Sequence, residues 1–444
     1  MFRHLIPGGF MRSRILVSAI FVSLLAAACS NSTSEGTTTT SASKGGDSSA
    51  TQVAVTAPGV TADEIRVGGV ASTTNPLGGK YGESFDGVKA YFAMVNSEGG
   101  IYGRDLTMAS ERDDQLSNND AEVQGLLEQD NVFAALPMTT LLFTGADRLV
   151  EAGIPTFGWT INPEWQGTTE VPKLNLFGQA GSYLCLGCEQ PQVAYVAKIS
   201  DSHKIGVLAY NVPQSTECAE GWEKTFDIYG EEADAEVVFS DHSLSYGITD
   251  LSVQVSKMKD AGVDMVVTCM DTNAVVTLGK ELKKQAVEAI QFLPDAYDQA
   301  FLDEFGDLFE GSYAWTSFAP FESTPQPKGL KNYLKWMEAT NGRISENSLV
   351  GWLNADLFVT GLRKAGPNFD QQKVVSSINE LTDYTADGLL SSIDWSNEHN
   401  KRGETTCGAV LIVKDSEFVP VTIAKGKPFS CFALNTGVLT PTAQ

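Results

Sequence analysis

Residues 65–96 read IRVGGVASTTNPLGGKYGESFDGVKAYFAMVN. The run 65–70 is short and apolar, the pattern of a buried strand. From residue 83 the period changes, and Phe85, Val88, Phe92 and Val95 fall on one face of a helix. Between the two lies a loop with adjacent glycines, Gly78 and Gly79. Such a strand–loop–helix unit is a frequent ligand grip, and the rest of the chain decides of what kind.

The same alternation continues outward. Runs 105–110, 132–136 and 154–157 read as further buried strands. Helical periodicity places Val123, Leu126 and Leu127 on one face, and then Phe143, Ala146, Leu149 and Val150, with Gly153 set to end that helix. After residue 190 the rhythm restarts, with strands at 204–210, 236–240, 264–270 and 290–294. Helices are expected at 191–200, 217–229, 250–261 and 272–285. Three helical stretches follow within 327–382, then a β-rich tail over 387–433. Strand–helix alternation with buried strands predicts an α/β fold of two doubly wound parallel-sheet lobes with an inter-lobe cleft. In open parallel sheets the binding crevice lies beyond the carboxyl ends of the strands. Those ends fall at 71–84, 113–118, 137–141 and 158–163 in the first lobe. In the second they fall at 210–217, 241–247, 270–274 and 294–298.

The first residues read differently. Arg12 and Arg14 precede an apolar run, 15–28, that ends LLAAAC at Cys29. This is the pattern of a secretory signal, too short for a membrane span. The ending resembles a bacterial lipobox, with Ala26 where Leu is usual three positions before the Cys. The expectation is a signal peptide over 1–29 with Cys29 lipidated, then a Ser/Thr-rich disordered tether over 30–57. The chain would then stand on the outer face of the bacterial cell membrane, anchored by lipid.

Thirty-one Lys and Arg face 55 Asp and Glu, a net charge of −24. The leader holds three of the Arg and no acid, so the exported surface is more acidic still. Nucleic acid is excluded as a partner for such a surface. Seven Cys less Cys29 leave an even number in an exported protein, which favours disulfides. Cys407 and Cys431 flank a hairpin-like stretch and form the best pair. Cys185 and Cys188 lack the second Cys/His pair of a zinc site and the strand–helix context of a thioredoxin site. Cys218 and Cys269 pair with each other or with these two.

No phosphate loop is present. Gly78-Gly79-Lys80 lacks an earlier glycine at the right offset and a following Ser or Thr, and no G-x-G-x-x-G follows a strand. No nucleophile–histidine–acid pattern or metal motif appears, so neither catalytic residues nor a metal or cofactor is expected. Asp113-Asp114 is a carboxylate pair at a strand end, read more simply as structuring the rim. What the loops hold instead is hydroxyls and aromatics: Ser72, Tyr81, Thr139, Thr140, Trp159, Thr160, Tyr210, Ser215 and Tyr246, with Asp271 and Asp295 in the second half. Apolar walls with a few placed polar groups suit a small organic ligand.

Four segments carry a family likeness: NPLGGKYGESFDGVKAYFAMVNSEGGIYGRDLTMASERDD (75–114), EAGIPTFGWTINPEW (151–165), KIGVLAYNVPQSTECAEG (204–221) and AGVDMVVTCMD (261–271). The chain resembles type I solute-binding proteins of ABC importers, of the branched-chain amino acid class, over roughly residues 60–430. The resemblance implies two lobes joined by three crossing strands and closing on the ligand. The first lobe would comprise 58–183 and about 314–403. The second would comprise 184–313 and about 404–434. It implies Tyr81 as an aromatic wall, Thr139 for a ligand carboxylate, Trp159 and Thr160 as a backbone NH and a hydroxyl, and Tyr210 as the aromatic of the second lobe. The ligand ammonium would meet Asp295, or Asp271. Met138, Trp159 and Asp295 depart from the usual residues, which turns the expectation from leucine-like ligands toward another amino acid, an amide or an aromatic compound. The implied partners are that solute, an ABC importer permease and the membrane; a lipid-anchored sensor or an extracellular enzyme is the other reading.

Overall fold

A computed structural model of the protein describes residues 53–168, 170–293, 296–399 and 403–444. The leader, Cys29, most of the expected tether and Asp295 lie outside the described residues. The chain joins the folded part earlier than the sequence pattern suggests. Arg104, buried to 2% exposure, donates to Thr61 O at 2.8 Å and Val53 O at 2.7 Å, and Val55 and Ala57 pack on the core.

The first sheet is wholly parallel, with strands β1 (Glu64–Ala71), β2 (Asp105–Asp113), β3 (Ala134–Thr139), β4 (Thr156–Gly158) and β5 (Leu176–Gly178) in the order β2-β1-β3-β4-β5. Helices α1 (Glu83–Ser97), α2 (Asn119–Gln129) and α3 (Ala146–Ala152) connect its strands, and α3 ends at Gly153 with φ 63°. Phe143 lies ahead of α3 rather than on it. β5 falls in a Gly- and Cys-rich stretch where no strand pattern is visible, because three residues are too few to show a period.

The second half begins with α4 (Pro191–Ser200), followed by β6 (Lys204–Tyr210), α5 (Pro213–Ala233), β7 (Glu236–Leu244), α6 (Ser252–Ala261), β8 (Met265–Cys269), α7 (Thr272–Gln285), β9 (Ile290–Leu293), α8 (Gln299–Phe305) and β10 (Tyr313–Thr316). Helices α9 (Lys328–Ala339), α10 (Glu346–Ala365) and α11 (Gln371–Ile378) return to the first lobe, with α10 and α11 joining its core. A short α12 (Trp395–Glu398) leads to β11 (Thr405–Lys414), β12 (Glu417–Pro420), β13 (Ser430–Ala433) and β14 (Thr442–Ala443). The second sheet runs β14-β13-β11-β10-β9-β8-β6-β7, with β12 on β11. It is parallel from β7 to β10 and antiparallel beyond, so the second lobe carries a mixed sheet. β10 belongs to this sheet, which places the return to the first lobe after Thr316.

Each sheet buries both faces, as double winding requires. One side of the first sheet meets Val88, Phe92, Trp352 and Phe358, and the other meets Val123, Leu126 and Leu149. The second sheet lies between the Trp222 and Phe226 side of α5 and the Val255, Met258 and Leu278 side of α6 and α7. The chain passes between lobes three times, from β5 to α4, from β10 to α9 and from α12 to β11. Cys407 and Cys431 face each other across β11 and β13 and are bonded; Cys185 bonds Cys188, and Cys218 on α5 bonds Cys269 at the end of β8.

Candidate functional site

The carboxyl ends of β1 and β4 and the loop after β3 meet those of β6 and β8 around a cavity of about 240 Å³. The first lobe contributes Leu77 and Tyr81 from the opening loop, Leu141 after β3, and Trp159 and Ile161 after β4. Tyr81 and Trp159 lie with ring centroids 5.4 Å apart. The second lobe contributes Tyr210, Tyr246 and Asp271, with Tyr210 and Tyr246 centroids 4.8 Å apart. Two aromatic pairs therefore face one another across the cleft, each rigid and apolar with a polar edge.

The lobes touch around this cavity. Gln214, in the first turn of α5, donates from Nε2 to Leu141 O at 3.0 Å and to the Tyr246 hydroxyl at 3.2 Å. Asn273 Nδ2 donates to Pro76 O at 3.1 Å. Arg343 joins Glu83, at 2.8 Å, to Asp298 in the second lobe. The loop 72–82 is held from beneath: Asn75 Nδ2 donates to Ser72 O and Gly79 O, and Asp113 accepts from Thr74 N. Asp113 and Asp114 spend their carboxylates on turn NH groups of the rim, and burial pushes the Asp114 carboxyl up.

Of the residues singled out by sequence, Tyr81, Trp159, Tyr210 and Asp271 come together on the cavity wall. Thr139 and Thr160 are fully buried behind it. The Thr139 hydroxyl bonds Ser84 Oγ at 2.8 Å and donates to Tyr81 O at 3.3 Å, so it positions the Tyr81 loop rather than facing the cavity. Asp271 caps α7, accepting from Ala274 N at 3.1 Å on one oxygen and from the Tyr210 hydroxyl on the other. Burial, then the Asp271 carboxylate, raises the Tyr210 phenol; the same two causes push Tyr246 up to about 12. Both phenols stay protonated across the physiological range. Asp271→Ala removes a helix cap and the acceptor of a buried phenol together, so we expect a loss of about 2 kcal/mol in ligand-free protein. Asp271→Asn, which keeps an acceptor, should lose less than half of that when the two variants are compared by urea titration.

Sequence reasoning missed Gln179, Gln190, Gln192 and Gln214, all on the cavity wall. Only Gln214 carried a signal, as the residue after Pro213 at the start of a helix that follows a strand. The others reach the cavity through the β5–α4 crossing, whose path no periodicity encodes. Among the described residues lining the cavity, Asp271 and Glu346 are acidic and none is Lys, Arg or His. Among the described residues no cluster of three His, Cys, Asp or Glu side chains could hold a metal ion.

The sequence profile of one family, described as periplasmic binding protein, matches residues 64–416. Among similar solved structures is a branched chain amino acid ABC transporter from Thermus thermophilus with bound valine. It is 18% identical with a TM-score of 0.66, over 81% of this chain and 96% of that one. A fatty acid ABC transporter substrate-binding protein from Thermomonospora curvata is 16% identical with a TM-score of 0.64, over 82% and 93%. A solute binding protein of an ABC transporter from R. palustris, in complex with 4-hydroxybenzoate, is 17% identical with a TM-score of 0.64, over 84% and 98%. At these identities the likeness is one of fold. No curated protein matches the chain.

Proposed function

We propose, from the premise that this chain belongs to the periplasmic binding protein family, that it captures a small solute of the amino acid or amide class between its lobes and delivers it to an ABC importer. In this reading lipid on Cys29 holds it at the outer face of the cell membrane. No helix among the described residues is long and apolar enough to cross a membrane. The observation that carries the reading is the inter-lobe cavity itself, walled by Tyr81, Trp159, Tyr210 and Tyr246 and bridged by Gln214. Its volume equals about eight liquid waters at ~30 Å³ each, which suits a small molecule. The polar groups set the class of ligand, because a charged hydrogen bond contributes about 1.5–3 kcal/mol against about 0.8 for a buried CH₂. Asp271 and Asp295 are the acids proposed to meet a ligand ammonium.

A thermal-shift screen of the protein against amino acids, amides, ureas and small aromatic acids tests this. A ligand at 100 times its dissociation constant adds about 2.7 kcal/mol to native stability. We expect at least one amino acid or amide to raise the melting temperature, and import of that compound to fail in cells lacking the protein. If the ligand carries an ammonium group, Asp295→Ala abolishes its binding with the fold intact. A panel without a single shift rejects capture of this class.

A further inference from the structure

The cavity does not stop at the cleft. It turns along α5 into the second lobe, where Trp222, Phe292 and Trp315 line it with Leu184 and Leu186 of the β5–α4 crossing. Trp222 and Phe292 meet edge to face at 5.8 Å, and the Cys218–Cys269 disulfide closes the wall beside them. Three polar atoms of residues on its wall stand apart. Trp222 Nε1, Gln179 Oε1 and Gln192 Oε1 are buried and have no hydrogen-bond partner. Their residues are 7%, 5% and 3% exposed, and all three line the cavity.

Gln190 and Gln192 are each tied down by the amide nitrogen. Gln192 donates from Nε2 to Gln190 Oε1 at 2.7 Å, and Gln190 donates from Nε2 to Cys185 O at 3.3 Å. Gln190 N donates to Thr225 Oγ1 at 2.7 Å. This chain of bonds fixes the Gln192 amide by its nitrogen and leaves its oxygen as an acceptor. Buried polar groups are nearly always satisfied, and leaving one unmet is costly. One unmet donor and two unmet acceptors on a single cavity wall call for a molecule with one acceptor and two donors. The lining charges narrow it further. With Asp271 and Glu346 acidic and no cation among the described lining residues, a carboxylate would be buried without a counter-charge.

We propose that the captured solute is an uncharged carboxamide with a free NH₂ and an apolar substituent. Its carbonyl accepts from Trp222 Nε1, and its NH₂ donates to Gln179 and Gln192. Its apolar part lies toward Tyr81, Trp159 and Leu77. The proposal rests on the reading of the chain as a solute-capturing protein and names the class within it. It assigns recognition to the inner arm of the second lobe, away from the capping carboxylate of Asp271.

Calorimetric titration of the protein with matched sets tests it: butyramide, 4-methylpentanamide and benzamide, each against the acid and the amine of the same skeleton, with leucine and valine in parallel. At least one amide should bind 100-fold more tightly than its acid and its amine, since a site built to hydrogen-bond a group rejects analogues lacking it. Trp222→Phe should weaken that amide by 10- to 100-fold, and Gln192→Leu likewise. Trp222→Phe should lower the melting temperature of ligand-free protein by no more than a few degrees, because it removes an unmet polar atom from the wall, whereas Gln192→Leu also frees Gln190 Oε1 and is compared with its own ligand-free melting temperature. Tighter binding of an acid, an amine or an amino acid overturns the proposal and leaves solute capture standing, as does an amide affinity unchanged in Trp222→Phe. Failure of every compound to bind rejects the proposal together with the reading beneath it.

Discussion

Gly351→Val lowers the unfolding free energy by about 3 kcal/mol, the upper part of the range for overpacking a core. α10 crosses α1 with almost no space between the backbones. A Cβ on Gly351 would come 1.9 Å from Ser84 O, and one on Gly87 would come 1.7 Å from Ser348 O. Both obstacles are carbonyls of a helix, so no rotamer change relieves them. The helices would have to part, and the rings that flank the crossing would part with them. Tyr91 and Trp352 meet edge to face at 4.8 Å, and Tyr333 and Trp352 at 5.7 Å. The helix propensity lost by having glycine mid-helix is only about 1 kcal/mol, so the clash decides the sign. A urea titration should show a lower midpoint at unchanged slope. Gly87→Val should behave alike, and the double variant should lose less than the sum, because one separation serves both side chains. An unchanged midpoint in Gly351→Val would mean that the helices have room to spare.

Relative to the parent, Glu398→Gln loses up to about 3 kcal/mol of stability between pH 7 and pH 4.5. Two adjacent residues cause this. Burial raises the Glu398 carboxyl to about 7 and lowers the His399 imidazole to about 4. Glu398 Oε2 lies against the β5–α4 crossing, where a Cβ on Gly181 would come within 2.8 Å, and His399 packs on Phe177 and Trp395. For Glu398 the folded state holds a proton that the unfolded state releases between about 4.5 and 7, so its contribution is full in acid and is lost as pH rises through 7. For His399 the unfolded state takes a proton that the folded state refuses between about 6.5 and 4, so its contribution is lost as pH falls. The two slopes oppose each other over nearly the same window. Glutamine stays neutral, which leaves the histidine slope uncovered. Asp114, Glu322 and Asp356 are also raised by burial, but they are common to both proteins and drop out of the comparison. Urea titrations of both proteins at pH 4.5, 5.5 and 7 would show the tilt; a Glu398→Gln profile that runs parallel to the parent's would place Glu398 in water-like surroundings.

Much of the architecture was legible from the chain alone. The helix 191–200 stands at the bounds its apolar spacing marks, and Gly153 ends α3 in the left-handed conformation that suits glycine. Boundaries failed where the signal is weakest. The helix read at 217–229 begins at Pro213 and runs to Ala233, since a long amphipathic helix frays into polar first and last turns that carry no period. The stretch 387–399, read as part of a β-rich tail, forms turns and the short α12, because isolated apolar residues in a Gly- and Ser-rich stretch do not distinguish strand from bend.

The site divides along a physical line. Tyr81, Trp159, Tyr210 and Asp271 sit just past strand ends, and position past a strand end is a local property that the order of residues determines. So are the double winding of each lobe and the pairing of Cys407 with Cys431 across a hairpin. Which hydroxyl faces the cavity is not local. Thr139 and Thr160 lie at equally good positions in the chain, yet both are buried, Thr139 bonded to Ser84 and Thr160 packed against Gly178. Gln179, Gln192 and Trp222 meet one cavity only because a crossing segment, a helix start and a helix interior are folded against one another. Period and composition specify the face an element buries; they do not specify which remote side chains share a void, since that depends on how packed elements are rotated and on which polar atoms packing leaves unpaired. The fold class was therefore written in the alternation of periods, and the chemistry of the cavity was decided by tertiary packing.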